Sequence, residues 1–278
     1  MRTPDLFEIP TAPADPLEYA ASKDNEPILE TVRRAIKNKH VMLAYQPVVH
    51  AKHPEKPAFY EGLVRVLDGM QQVVAAKDFM PVVETMELGR ILDCHALELG
   101  LRALAEEPTL RLSINMSARS IGYPKWIQTL HQGMEADKTV AERLILEVTE
   151  SSAMAVPELV TSFMADLHRY GISFALDDFG AGYTAFRFFK DFQFDIVKID
   201  GQFIRNIDQD PDNQVLTEAL ILISKQFDMF TVAEHVETEE ELKYLQKLGV
   251  DCLQGYHIGM PEIIPEWTES MYRKAVNA

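Results

Sequence analysis

The chain has 278 residues, 47% of them hydrophobic and 25% charged, a profile that excludes a disordered or fibrous protein. The length suits an α/β barrel, which typically needs about 250 residues, and no run of ~18 apolar residues points to membrane insertion. A net charge of −16 argues against a nucleic-acid polymer as partner, since that binding rests on Lys and Arg neutralising phosphates. If the substrate is nonetheless anionic, a divalent cation could stand between it and so acidic a protein.

The opening MRTPDLFEIPTAPADP lacks the charged-then-apolar order of a secretion signal. Cys94 and Cys252 are far apart, so a reducing, cytoplasmic setting is the simple reading, with a single bridge left open. Residues 1–26, rich in Pro, Ala, Asp and Glu, are expected to form a flexible arm. Residues 27–278 show no internal repeat and no linker, and are expected to form one unit.

From Pro27, PILETVRRAIKN predicts an amphipathic helix with Ile28, Val32 and Ile36 at i, i+4 and i+8. HVMLAYQPVV and AFYEGLVRVL predict two consecutive strands, and KDFMPVVETME and RILDCHALELGLRAL predict helices. The chain then alternates. Strands are expected at RLSIN, RLILEV, ISFAL, FDIVKI, FTVAE and DCLQG, and helices at PKWIQTLHQGME, PELVTSFMADLHRY, TAFRFFKDF, DNQVLTEALILISKQF and EEELKYLQKLG. Short apolar runs alternating with longer amphipathic segments indicate βα units around a buried parallel sheet. Their number favours a closed barrel over an open sheet, although two consecutive strands at the start depart from a regular (β/α)8 pattern.

Where each apolar run stops is informative. RLSIN ends at Asn115, LILE at Glu147 with Glu150 three residues on, ISFALDD at Asp177 and Asp178, FDIVK at Lys198, FTVAE at Glu234 and DCLQ at Gln254. Glu61 and Arg65 lie inside the second early strand. A strand often ends in a polar residue merely because the chain leaves the core there. Taken together, however, these residues are biased towards carboxylates. They fall at the strand ends, where barrel enzymes build their active sites. Carboxylates crowded on one rim repel one another unless they hold cations. An all-oxygen set favours Mg²⁺, Mn²⁺ or Ca²⁺ over zinc.

Adjacent Asp177 and Asp178 can reach one site only if the chain turns out of the strand, and Gly180 and Gly182 allow that turn. Lys198 is either a lysine reaching for the rim or, beside the acids, a group that orients water or neutralises a phosphate oxygen.

These motifs resemble those of EAL domains, the family that hydrolyses cyclic di-GMP. The likeness runs from about residue 28 to 262 and is carried by YQPVV, EGLVR, INMS, LEVTES, LDDFGAGY, VKID, VAEHVET and LQGY. It implies a modified TIM-type (β/α)8 barrel with an antiparallel early strand. By resemblance, Glu61, Asn115, Glu147, Asp177 and Asp178 would bind two divalent cations, Mg²⁺ or Mn²⁺. These would clamp the attacking water and the scissile phosphate of cyclic di-GMP, giving linear pGpG. Glu234 would hold or activate the water, assisted by Lys198. Leu63, Arg65 and Gln254 would contact the substrate or support the site, and Glu150 would anchor the loop that begins at Asp178. The alternatives are a catalytically weak EAL-type receptor or scaffold, and a different metal-dependent phosphodiester barrel.

Three positions depart from the family pattern. Gly62 stands for the signature Ala, the loop reads FGAGYTA rather than FGTGYSS, and His235 replaces the usual Gly beside Glu234. If that last position needs φ > 0, His is strained but tolerable; if it approaches the ligand, His obstructs or contacts it. The family also implies a homodimer. Phe186, Phe188, Phe189, Phe192 and Phe194 form an aromatic cluster after the loop, and an expected surplus face of that helix is a candidate for the contact.

Overall fold

Eight strands close into a barrel, running Val41–His50, Cys252–Leu253, Phe230–Ala233, Ile196–Ile199, Ser173–Phe179, Leu144–Thr149, Leu112–Asn115 and His53–Leu67 before returning to the first. The computed structural model describes residues 26–182, 189–265 and 267, so the expected arm at 1–26 lies outside them but for Glu26. In chain order the elements are α1 (Glu26–Lys37), β1 (Val41–His50), β2 (His53–Leu67), β3 (Val73–Ala75), α2 (Ala76–Val83), α3 (Glu87–Glu106), β4 (Leu112–Asn115), α4 (Pro124–Ala136) and β5 (Leu144–Thr149). Then follow α5 (Glu150–Ala155), α6 (Pro157–His168), β6 (Ser173–Phe179), β7 (Ile196–Ile199), α7 (Gly201–Ile204), α8 (Pro211–Gln226), β8 (Phe230–Ala233), α9 (Glu239–Leu248) and β9 (Cys252–Leu253).

The expected antiparallel early strand is β1, which runs against both β2 and β9, whereas the other barrel pairings are parallel. The short β3, absent from the sequence reading, pairs with the upper end of β2 outside the barrel. Local signals fix the helix ends. Pro occupies the first turn of α4, α6 and α8. Thr238 and Glu241 form a capping box on α9, and Gly249 ends that helix with φ of 79°. Below the barrel, Arg143 donates to the carbonyls of Leu104, Glu107 and Leu110, tying the end of α3 to the start of β5.

Of the expected helix TAFRFFKDF, residues 184–188 lie outside the described residues; of the rest, 189–190 are helical and the chain is non-helical from 191. Phe189, Phe192 and Phe194 are all buried, with Phe189 edge-on to Phe179 at 5.3 Å and Phe192 beside Phe194 at 5.3 Å. These three rings fill the chain's own core. Phe186 and Phe188 lie outside the described residues.

Period-two alternation explains what fills the barrel. Val48, Phe59, Ile145, Ala175, Ile196, Val232 and Cys252, one from each of seven strands, pack as a single apolar layer across the lumen. Side chains two residues along a strand point the same way. The next inward layer is therefore Glu61, Glu147, Asp177, Lys198, Glu234 and Gln254, with Asn115 two residues beyond buried Ser113 on β4. On the reversed β1 the step runs backwards, from Val48 to Gln46, and Gln46 lies directly opposite Glu61. All eight barrel strands thus deliver a polar residue to the same level.

Candidate active site

Lys198 is the hub of this polar layer. It is 1% exposed, and its Nζ lies 3.2 Å from Glu61 Oε2, 2.8 Å from Glu147 Oε2, 3.0 Å from Asp177 Oδ1 and 2.9 Å from Glu234 Oε1. Glu61 is the best-supported acid. Asn115 Nδ2 donates to its Oε1 at 2.7 Å, and Gln254 Nε2 to its Oε2 at 2.7 Å. Gln254 also donates to Gln46 Oε1 at 3.2 Å, and Gln46 Nε2 donates to Gly259 O at 3.0 Å.

Four carboxylates around one ammonium leave a large excess of buried negative charge, and the proton affinities follow. Burial and the Glu61 charge push Glu147 up to about 8 against the pull of Lys198. Burial also raises Glu234 well above the carboxylate range. Burial acts on Glu61 in the same sense. It is outweighed by the Lys198 charge and the donors Gln254, Asn115 and Lys198, so Glu61 is held low. Lys198 is raised well above its usual range, because the surrounding carboxylates overcome its burial.

The donor set fits hard divalent cations. Glu147 Oε1 is buried without a hydrogen-bond donor, and Asp177, Asp178 and Glu234 each offer an oxygen within 4.8 Å of the others. Such oxygen clusters suit Mg²⁺ or Mn²⁺. Above them opens a cavity of about 370 Å³ whose wall includes Glu61, Leu63, Arg65, Asp177, Asp178, Lys198, Glu234 and Gln254. Arg65 is half-buried and donates to Val64 O; no carboxylate pairs with it among the described residues. Glu147 is fully buried and Asn115 partly so, and neither belongs to that wall.

Two residues leave the regular backbone here. Asp178 has φ of 56°, at an irregularity in the β6–β7 pairing, and this is how Asp177 and Asp178 both reach the site. Burial and the neighbouring Asp177 raise the Asp178 carboxyl to about 6. His235 has φ of 56° as well. A non-glycine side chain in this region costs on the order of 1 kcal/mol. The first condition raised for His235 by the sequence, a positive φ, thus holds, and the residue also lines the cavity.

Glu150 is buried and accepts the Gly180 N–H at 2.9 Å, at the start of the expected loop. Gly62 is explained by packing: a Cβ there would lie 2.7 Å from Ile114 Cδ1, so the isoleucine occupies the volume of the missing methyl.

Sequence reasoning overlooked Gln46, Asp93 and Tyr256. Reading β1 backwards would have found Gln46. Tyr256, an exposed aromatic, lines the cavity just past Gln254. Asp93 is a carboxylate on the buried face of α3. It accepts Ser117 N–H at 3.0 Å and Ser120 Oγ–H at 2.6 Å, pinning the loop that follows Asn115. Burial raises this carboxyl to about 6.

A closed α/β barrel with a layer of acids and one lysine beneath a cavity at the C-terminal rim has the layout of a barrel enzyme's active face. The family is narrower than that class. The EAL domain profile matches residues 29–261, and the chain belongs to the EAL domain family. The cyclic di-GMP phosphodiesterase PdeF of Escherichia coli (strain K12) is 30% identical over 244 residues, covering 86% of this chain and 32% of its own length. The bifunctional diguanylate cyclase/cyclic di-GMP phosphodiesterase MucR of Pseudomonas aeruginosa is 27% identical over 248 residues, covering 87% and 36%. The chain thus spans about a third of the length of these curated relatives.

Among solved structures, the PaMucR phosphodiesterase in complex with c-di-GMP superposes with a TM-score of 0.74 at 26% identity, over 84% of this chain and 97% of that one. The FimX EAL domain from Pseudomonas aeruginosa bound to c-di-GMP gives 0.77 at 22% identity, over 84% and 96%, a likeness of fold. Among the described residues, no helix is long and apolar enough to cross a membrane.

Proposed function

We propose that this chain hydrolyses cyclic di-GMP to linear pGpG in a reaction that requires two Mg²⁺ or Mn²⁺ ions, and that it works in the cytoplasm. The observation that carries the reading is the polar layer, in which buried carboxylates outnumber the one lysine among them four to one. The names of the relatives, cyclic di-GMP phosphodiesterases, support it.

In this reading Glu61, Asn115, Glu147, Asp177 and Asp178 hold the cations. When bound, these supply Lewis acidity: they neutralise phosphate charge and lower the pKa of water. The chain's own groups do the rest. Glu234, which faces the cavity beside Asp177 and Asp178, orients the attacking water and takes its proton. Lys198 fixes the Glu61, Glu147 and Glu234 carboxylates. The Arg65 guanidinium has donors left for a phosphate, while Leu63 and Gln254 shape the wall. Glu150 anchors the loop through Gly180. The complete carboxylate set favours turnover over a receptor that only binds.

The purified chain is expected to convert cyclic di-GMP to pGpG with Mn²⁺ or Mg²⁺ and to stop in excess chelator, as followed by chromatography. Ca²⁺ is expected to inhibit, because its shell is larger and looser, at about 2.3–2.6 Å. Full turnover in chelator would remove the metal assignment, and tight binding without turnover would favour the receptor.

A homodimer belongs to the same reading. Phe189, Phe192 and Phe194 are buried in the chain's own core. The apolar surface on offer is instead on α8, where Val215 and Leu222 are 67% and 69% exposed and Leu216 adds to the stripe. Sedimentation at micromolar concentration is expected to show a dimer that Leu222→Glu dissociates. A wild-type monomer under those conditions would end the proposal and leave the catalytic assignment standing.

A further inference from the structure

We propose that His235 is a substrate-contact residue of this chain, its imidazole donating a hydrogen bond to an acceptor edge of the nucleotide held in the cavity. The inference rests on the phosphodiesterase reading above and adds to it a residue at a position where the family usually carries glycine.

Three observations carry it. First, His235 lies in the cavity wall immediately after Glu234, in company with Arg65 and Tyr256. Second, its ring is seated against Gly201. A Cβ built on Gly201 would lie 2.5 Å from His235 Cδ2 and 2.7 Å from its Cγ and Cβ, contacts that no real side chain could make. Gly201 therefore leaves room for the carbon edge of the imidazole. In a five-membered ring the opposite edge, bearing Nδ1, Cε1 and Nε2, then faces away from that seat. Third, neither ring nitrogen has a hydrogen-bond partner among the described residues. His257, by contrast, pairs with Glu239 at 3.0 Å, and His168 with Asp195 at 3.1 Å.

A side chain held in the left-handed region, packed by its carbon edge and left with both nitrogens free at the mouth of a polar cavity, is oriented for a ligand. Neutral imidazole offers one N–H donor and one acceptor, and the free phosphate oxygens and purine N7 and O6 of a cyclic dinucleotide are all acceptors. The contact forms in the bound ground state as well as in the transition state, so it acts on KM rather than kcat.

Steady-state kinetics with cyclic di-GMP and Mn²⁺ test the assignment. His235→Gly is expected to raise KM about tenfold with kcat within about twofold of wild type. Glycine accepts this φ freely, so the fold is kept, as thermal unfolding will verify. His235→Asn, which tolerates the same backbone and keeps a donor, is expected to restore most of the lost affinity. Gly201→Ala, which removes the ring's seat, is expected to raise KM in the wild-type chain and to add nothing in the His235→Gly chain. A wild-type KM for His235→Gly, or no rescue by Asn, overturns the contact while leaving the phosphodiesterase reading intact. A wild-type chain that neither binds nor turns over cyclic di-GMP overturns both.

Discussion

Glu61→Ala, Asp177→Ala and Glu234→Gln are each expected to lower kcat by a factor on the order of 10² to 10³ or more, with the barrel still folded. The loss follows from the roles proposed for these acids, each reaching the cavity from a different strand. The tolerance follows from the charge balance. Lys198 has four carboxylate neighbours, so deleting any one leaves it three, and repulsion within the layer falls. The apolar layer beneath, from Val48 to Cys252, is untouched. Steady-state rates and melting curves measured side by side decide the matter. A kcat equal to wild type in any of the three removes that residue from the site, and a large drop in Tm would mean that the acid supports the fold.

Lys198→Met is expected to abolish turnover as well, but with the opposite signature in stability. Methionine fills the volume and takes away the positive charge that Glu61, Glu147, Asp177 and Glu234 share. Removing one partner of a buried ion pair costs about 3–5 kcal/mol. In a chain of this size that lowers Tm by on the order of 10 °C. The drop is expected in chelator and is expected to shrink when Mn²⁺ is added, because a cation that binds the folded state alone stabilises it by mass action. An unchanged Tm in chelator would show that the four acids already carry their protons without the lysine.

The strands and helices were legible in the sequence because buried parallel strands read as short apolar runs. Each run's terminal polar residue could be picked out by eye, from Asn115 to Gln254. What the sequence did not display was direction. Gln46 escaped because β1 runs the other way, so its polar residue precedes the apolar one at Val48. The three-residue β3 is too short to carry a period. Asp93 hid inside a helix that is buried over most of its surface, where its partners Ser117 and Ser120 come from a loop more than twenty residues away. The role of Lys198 was half visible. A lysine closing an apolar run signals a buried charge, but only the barrel shows that one ammonium meets four acids.

The reversal of β1 also decides the side from which the chain approaches the barrel. Val41, at the start of β1, lies level with Val66 near the upper end of β2, and Leu67 N–H bonds back to His40 O. The helix before it, α1, packs Leu29, Val32 and Ile36 against Val66 and the first turns of α3. A regular barrel takes in its first strand from the closed bottom, far from the chemistry. Here the chain comes in over the open rim. Glu26, where α1 begins, stands one helix away from the strand that carries Glu61 and Arg65. A pull or twist delivered to that helix reaches the rim bearing Glu61 and Arg65 without crossing the core.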